Sequence, residues 1–532
     1  MKRIAWLALY GTLTACWLDE PRPVGYDRHR EVLGPVAMKD RVAYVDTARD
    51  RVIFVDSAGG DPVVRTVGIG RSAVFVTPTP DRSRLVVITR GEEAVVEGQV
   101  DEEPALWVVD PDGGEAPVAY PIGSPFNRIA ISSDGAEAVA YYTGSGFDPN
   151  TGVFRNPNEV AVVHLSQPPG DGNPVVRTVR SFGAAPDGVV LSPPMAIPGA
   201  DDSTPRTFAF ILAPNTVTIL DATHPERDEV SIRLDQGSDV TVYPREIAFA
   251  PDRATAYLRA DNARDIVAIE IHPDPPSAER PRDNDYRPVL AELGTGGGPA
   301  DVAWYDDAAG RRFVVAATPG TRDVVVIDAN TAEFVTVETP DPIDRILLFP
   351  AGGDQPPRTA VLASLGDRSS RVHLLALDGI TDPLVPIDLR TVDLAAPVVD
   401  VVPVPGRAYA MIVHDADRTV LGLLDVAFGS VSPLQGAGRL DAYDFSAGGT
   451  HLVGITSGVA RVGFVELDTL HPFDLRLDDA PGRVFALAGG GVYVDHSDPF
   501  GRATILPSVE AGRQESVVLS GFLLADWIDE PL

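Results

Sequence analysis

The chain has 532 residues, 44% of them apolar and 7% aromatic, and a formal net charge of −32. That length exceeds an ordinary single core, which leaves several domains, one large closed fold or a repeat array. The charge sets nucleic acid aside as a partner, because phosphate binding needs a basic stripe and the sequence has none. Its 49 Gly and 48 Pro are spread along the chain as punctuation. That spacing fits many short elements joined by turns and argues against one disordered tract.

At the N-terminus, Lys2 and Arg3 precede a short apolar run, Ile4 to Leu13. The run is roughly half of the ~20 residues a membrane-spanning helix needs, so it reads as an export signal. Leu13-Thr14-Ala15-Cys16 follows. It resembles the lipobox of bacterial lipoprotein signals, which implies cleavage before Cys16 and acylation of that cysteine. Each buried methylene of such a lipid adds ~0.8 kcal/mol of membrane affinity, and more than one chain makes a stable anchor. Trp17 stands where an Asp would favour inner-membrane retention, so the resemblance points to the outer membrane. Cys16 is the sole cysteine, which excludes an intramolecular disulfide. The expected organisation is a signal at 1–15, a tether at 16–31 and a folded domain at 32–532.

From residue 50 onward one phrase recurs: DRVIFVD at Asp50, NTVTILD at Asn215, RDIVAIE at Arg264, TRDVVVIDANTAEF at Thr321, RTVLGLLD at Arg418 and ARVGFVE at Ala460. Each is a β-branched run ending in an acid (Asp56, Asp110, Asp221, Glu270, Asp328, Asp425, Glu466), with His164 in that slot once. The acid accepts backbone amides two residues on and sets the turn out of a third strand. A preceding apolar strand (Arg84, Thr207, Arg312), a first strand before that (Arg128, Glu246, Asp301) and a fourth after it (Val63, Val175, Glu229) complete a unit of four antiparallel strands. Asp134-Gly135 suits the tight hairpin between first and second strands. Such sheets, apolar on both faces, must stack on neighbours, and radial stacking makes a β-propeller.

On Pro251-Asp252, Ser133-Asp134 and the third strand Val324 to Asp328, the sequence resembles YVTN-type, lactonase-like β-propeller repeat proteins over most of 32–525. The fold class expected is all-β, a propeller of about eight to ten four-stranded blades. A single large ring is favoured over two. The segment Ser516 to Asp529 is expected to supply a strand that pairs with N-terminal strands and closes the ring, hiding its edges.

Two long loops, Gly91 to Pro104 and Thr143 to Asn156, leave adjacent units on one face. The second offers Asp148, Asn150 and Arg155 as a candidate binding edge. Met195 to Arg206 and Pro273 to Arg287 belong to the opposite face. His414-Asp415-Ala416-Asp417 and Asp495-His496-Ser497-Asp498 occupy comparable loops and read as turn residues rather than cation ligands. Asp110 to Glu115 reads as a hairpin turn, because calcium-loop spacing fails. No catalytic set, metal site or cofactor motif emerges. The expected function is an exported, envelope-anchored, non-enzymatic binding scaffold, joined to the membrane by its lipid and presenting one face to a protein or glycan. The alternative is a lactonase-like hydrolase with a carboxylate-lined central channel and a divalent cation.

Overall fold

The computed structural model describes residues 31–524 except 58–61, 93–100, 144–155, 181–184, 201–202, 236–239, 276–282, 351–356, 383, 416–417 and 435–438. The described residues form ten four-stranded sheets in which each strand pairs antiparallel with its sequence neighbour. The blades span 32–68, 73–121, 128–178, 188–233, 243–293, 301–338, 345–393, 400–434, 442–476 and 483–520. The third strands expected from the recurring phrase are present, from Arg51–Asp56 in blade 1 to Arg461–Glu466 in blade 9, and Arg371–Ala376 and Arg502–Leu506, which do not end in an acid, complete the ten.

Period-two alternation sends each strand's side chains to two different neighbours. In blade 6, Val314, Ala316, Val325 and Ile327 pack with Tyr257, Ile266 and Ala268 of blade 5. The intervening Val315, Ala317, Val324 and Val326 pack with Ile346, Ala360 and Leu362 of blade 7. Second and third strands are therefore buried almost throughout, as in Phe208–Ala213 and Arg312–Thr318. Fourth strands alternate with solvent, as in Val175–Thr178 and His471–Arg476. First strands of successive blades touch one another, which places them innermost.

Ten apolar clusters join ten blades, and the tenth closes a single ring. There Val42, Tyr44, Ile53 and Val55 of blade 1 pack on Leu487, Tyr493, Ala503 and Ile505 of blade 10, with Phe522 and Leu523 beyond it. The expected shared strand is replaced by something else. Val517–Ser520 pairs with Arg502–Leu506 of its own blade, and blade 1 draws all four strands from the N-terminal side. Residues 525–532 lie outside the described residues. The seam is held by side-chain packing and by reaching contacts, among them Arg51 Nη2 to the Leu523 carbonyl (3.1 Å), Arg483 Nη1 to the Gly34 carbonyl (3.2 Å) and the Ala488 amide to the Lys39 carbonyl (2.9 Å). Every blade is thus complete in itself, and apolar packing does the work assigned to a swapped strand.

The turn chemistry follows the sequence reading. Asp221 Oδ1 accepts the Thr223 and His224 amides, and Asp328 Oδ1 accepts the Asn330 and Thr331 amides. Asp110 accepts amides of Asp112, Gly114 and Glu115, a turn-closing pattern. Gly135, at φ 73°, completes the hairpin at Asp134 because it carries no Cβ to clash.

Candidate functional site

The turns from second to third strand and the connections between blades share one face, here called the upper face. Between blades 8 and 9 it opens into a cavity of about 390 Å³. Blade 8 lines it with Leu421 and Leu434, the connection between blades adds Leu440, and blade 9 adds Leu452, Val465 and Pro472. Thr456, Arg461 and Asp474 are its polar fringe.

Backbone register explains why space exists there. Each blade pairs a second-strand and a third-strand residue on the surface turned toward the preceding blade. Those pairs include Tyr44 with Ile53, Val87 with Trp107, Leu258 with Val267, Ala316 with Val325 and Leu362 with His373. In blade 9 the pair is Gly454 with Gly463. Blade 8 has one glycine at this level, Gly422 opposite Ile412. With both side chains missing, the blade 9 sheet offers bare backbone to its neighbour. A Cβ on Gly454 would strike the end of Leu440, so that leucine already lies over it. A Cβ on Gly463 would meet only the Gly454 carbonyl at 3.7 Å, so the space beside Gly463 is open. Apolar cavities of roughly 300–1,000 Å³ with a few polar groups at the rim are the usual form of small-molecule sites.

Arg461 Nη1 pairs with Asp474 Oδ2 at 2.5 Å, and both side chains are about half exposed. Arg476 lies directly across from Arg461 in the register. Arg439 pairs with Asp441 at 2.5 Å, and Arg418 stacks on the Tyr443 ring while donating to the Leu440 and Asp441 carbonyls at 3.3 Å.

A second chemical grouping lies at the inner rim. Arg245 pairs with Asp261 (2.7 Å), Asp261 with Arg259 (2.9 Å) and Arg259 with Glu246 (3.3 Å). Glu246 in turn meets Asp301 of blade 6, whose Oδ2 accepts the Ile346 amide of blade 7 at 2.6 Å. Burial, then the Glu246 charge and its hydrogen bond, push the Asp301 carboxyl up to about 7 despite that amide. The Asp301 carboxyl is thereby kept protonated toward neutrality, with Glu246 as its hydrogen-bond partner. Asp444 bridges blades 9 and 10 in the same manner, accepting the Ala486 amide at 3.0 Å, and burial raises its carboxyl too.

The candidate edge Asp148, Asn150 and Arg155 lies outside the described residues, as does Cys16. The base of the other long loop is pinned, with Arg71 Nη1 on Glu92 (2.6 Å) and its amide on Glu102 (2.8 Å). His414 and His496 are buried, and each Nδ1 bonds a carbonyl of the preceding interblade connection, Ala396 at 2.9 Å and Ala480 at 3.1 Å. They stitch a second strand to that connection, a tertiary role that differs from the turn role expected for them. His373 does similar work between Asp341 (2.8 Å) and Thr391 (3.0 Å). Its ring is wholly buried, so this hydroxyl–imidazole–carboxylate chain ties strands together. Among the described residues, no group of three His, Cys, Asp or Glu side chains is placed to hold a metal ion.

Fold and register define the class: the chain is a ten-bladed β-propeller with one glycine-floored pocket between blades 8 and 9. No family model matches it, and no curated protein matches it. Among solved structures, "Dihydro-heme d1 dehydrogenase NirN in complex with DHE" is similar over 75% of this chain and 74% of that one, at 14% identity and a TM-score of 0.40. A likeness at that level carries no argument about function.

Proposed function

We propose that the protein is a non-enzymatic binding scaffold of the bacterial envelope, held by lipid on Cys16 at the outer membrane, that takes an apolar ligand between blades 8 and 9. The observation that carries this is the Gly454–Gly463 pair, which removes two side chains from a blade interface and leaves about 390 Å³ lined by leucines. Such a void forfeits packing energy unless something fills it. The protein or glycan partner expected from the sequence stays a proposal for the same upper face, where the long loops of blades 2 and 3 begin. Anchoring is tested by metabolic palmitate labelling of the wild type and Cys16→Ser; equal labelling of both would remove the lipid from this reading. Binding is tested by titrating a solvatochromic apolar dye. The wild type should take up one equivalent and Gly463→Leu much less.

One observation favours the hydrolase alternative, the Asp301 carboxyl raised to about 7 beside Glu246 at the inner rim. An acid poised near neutrality is suited to general acid–base work. Screening lactones and esters against the wild type and Asp301→Asn tests it, because turnover abolished by that change would replace the scaffold reading.

A further inference from the structure

We infer that the pocket between blades 8 and 9 takes an aliphatic chain that ends in an anionic group, the chain lying over Gly463 beside the leucine that covers Gly454 and the anion at Arg461 and Arg476. This deepens the binding reading above and rests on it. Two independent features point to this ligand chemistry.

The first is shape and lining. The side chains that face the cavity are aliphatic, chiefly Leu421, Leu434, Leu440 and Leu452. Phe464 and Phe473 border it, but they stack on each other at 4.8 Å in the cluster shared with blade 10, so their rings belong to the other face of the sheet. Among the described lining residues no ring faces the cavity for aromatic stacking, and a flexible hydrocarbon is what leucines and bare backbone fit.

The second is charge. The chain carries 76 acids against 44 bases. Among the described residues at the upper ends of blades 8 and 9, Arg418, Arg439, Arg461 and Arg476 stand against Asp415, Asp441 and Asp474; Arg439 and Arg461 are paired with Asp441 and Asp474, Asp415 is bonded within its own turn to the Thr419 and Val420 amides, and Arg476 lies across from Arg461 in the register. A local positive field in a strongly acidic protein selects an anionic head and repels a cationic one. Guanidinium groups also offer the planar donor pairs that carboxylate, sulfate and phosphate accept.

The test is equilibrium dialysis of the full chain with three probes of equal chain length: dodecanoate, 1-dodecanol and dodecyltrimethylammonium. Dodecanoate should bind at least tenfold tighter than the cation and severalfold tighter than the alcohol. Decanoate should bind more weakly than dodecanoate, by about fourfold per methylene removed. Arg461→Gln, a change at a half-exposed side chain that leaves the blade intact, should bring dodecanoate to within about twofold of the alcohol. Gly463→Leu should abolish uptake of all three, and circular dichroism of that variant establishes that its sheets remain. Equal affinity for all three probes, with loss in Gly463→Leu, would overturn the anionic assignment and leave the apolar pocket standing. No uptake of any probe by the wild type would overturn both.

Discussion

The hydroxyls of Tyr44 and Tyr493 meet at 2.9 Å although 449 positions separate them in sequence, and Tyr44 also donates to Asp495 Oδ1 at 2.9 Å. Burial raises both phenols well above their usual range, with Asp495 adding to the effect, so these hydroxyls stay protonated and serve as donors. The pair sits within the cluster that joins the first blade to the last. Tyr44→Phe keeps the ring against Phe522 but leaves a buried carboxylate and phenol short of a partner. It should cost about 1–3 kcal/mol in urea unfolding. A change below a few tenths of a kcal/mol would mean that the seam does not limit global stability.

A second prediction concerns the buried arginine between blades 4 and 5. Arg206 grips Asp285 with both nitrogens, at 2.7 and 3.0 Å, and its side chain is only 3% exposed. Arg227 also reaches Asp285 at 2.7 Å, and Asp221 stands 3.5 Å from Arg206. Burial would raise the Asp285 carboxyl, but the two guanidinium groups outweigh it and hold it below the ordinary range. Arg206→Met takes a buried guanidinium from the part-exposed Asp285, which keeps Arg227, and from the wholly buried Asp221, and should destabilise by about 3 kcal/mol, the low end for a broken buried pair. Arg461→Gln, at a surface pair, should stay within about 1 kcal/mol. Parallel thermal and urea melts compare the two, and similar losses would contradict the burial argument.

The third prediction is pH dependence with two opposite signs. Asp301 has its folded pKa raised to about 7, so its contribution to stability is full below the unfolded carboxylate value and is lost as pH rises toward 7. Asp285 and Asp341 are shifted down, the latter by Arg371 and His373 against its burial, so their contributions are present above the unfolded value and fade in acid. Asp301→Asn keeps an acceptor for the Ile346 amide and removes the charge facing Glu246. Its melting temperature should therefore gain on the wild type between pH 5 and pH 8 and converge with it near pH 4. An identical pH profile for both proteins would show that Asp301 ionises normally.

Much of this architecture was legible because strand period and turn chemistry are local. Third strands such as Thr216–Asp221 and Asp323–Asp328 announce themselves by β-branched runs that end in a turn-closing acid. The turn role of Asp110 followed from the same local logic, whereas the contacts of His414 and His496 with an interblade connection did not. The pocket was not legible, because it depends on register. Gly454 and Gly463 look in sequence like two weakened strands of a drifted repeat, and only their direct pairing turns two small absences into one cavity. The Glu246–Asp301 pair was hidden because blades 5 and 6 bring those acids together through packing. Ring closure was misread for a related reason. The final apolar stretch does serve the seam, but through the Phe522 and Leu523 side chains instead of a borrowed strand.

The most direct measurement is anomalous diffraction from crystals grown with 12-bromododecanoate. The account predicts one bromine peak inside the ring of blades, among Leu421, Leu434 and Leu452 on the Gly463 side, with the carboxylate within hydrogen-bond reach of Arg461 or Arg476. A peak in the central channel or on another blade interface, with the space between blades 8 and 9 unfilled, would contradict it.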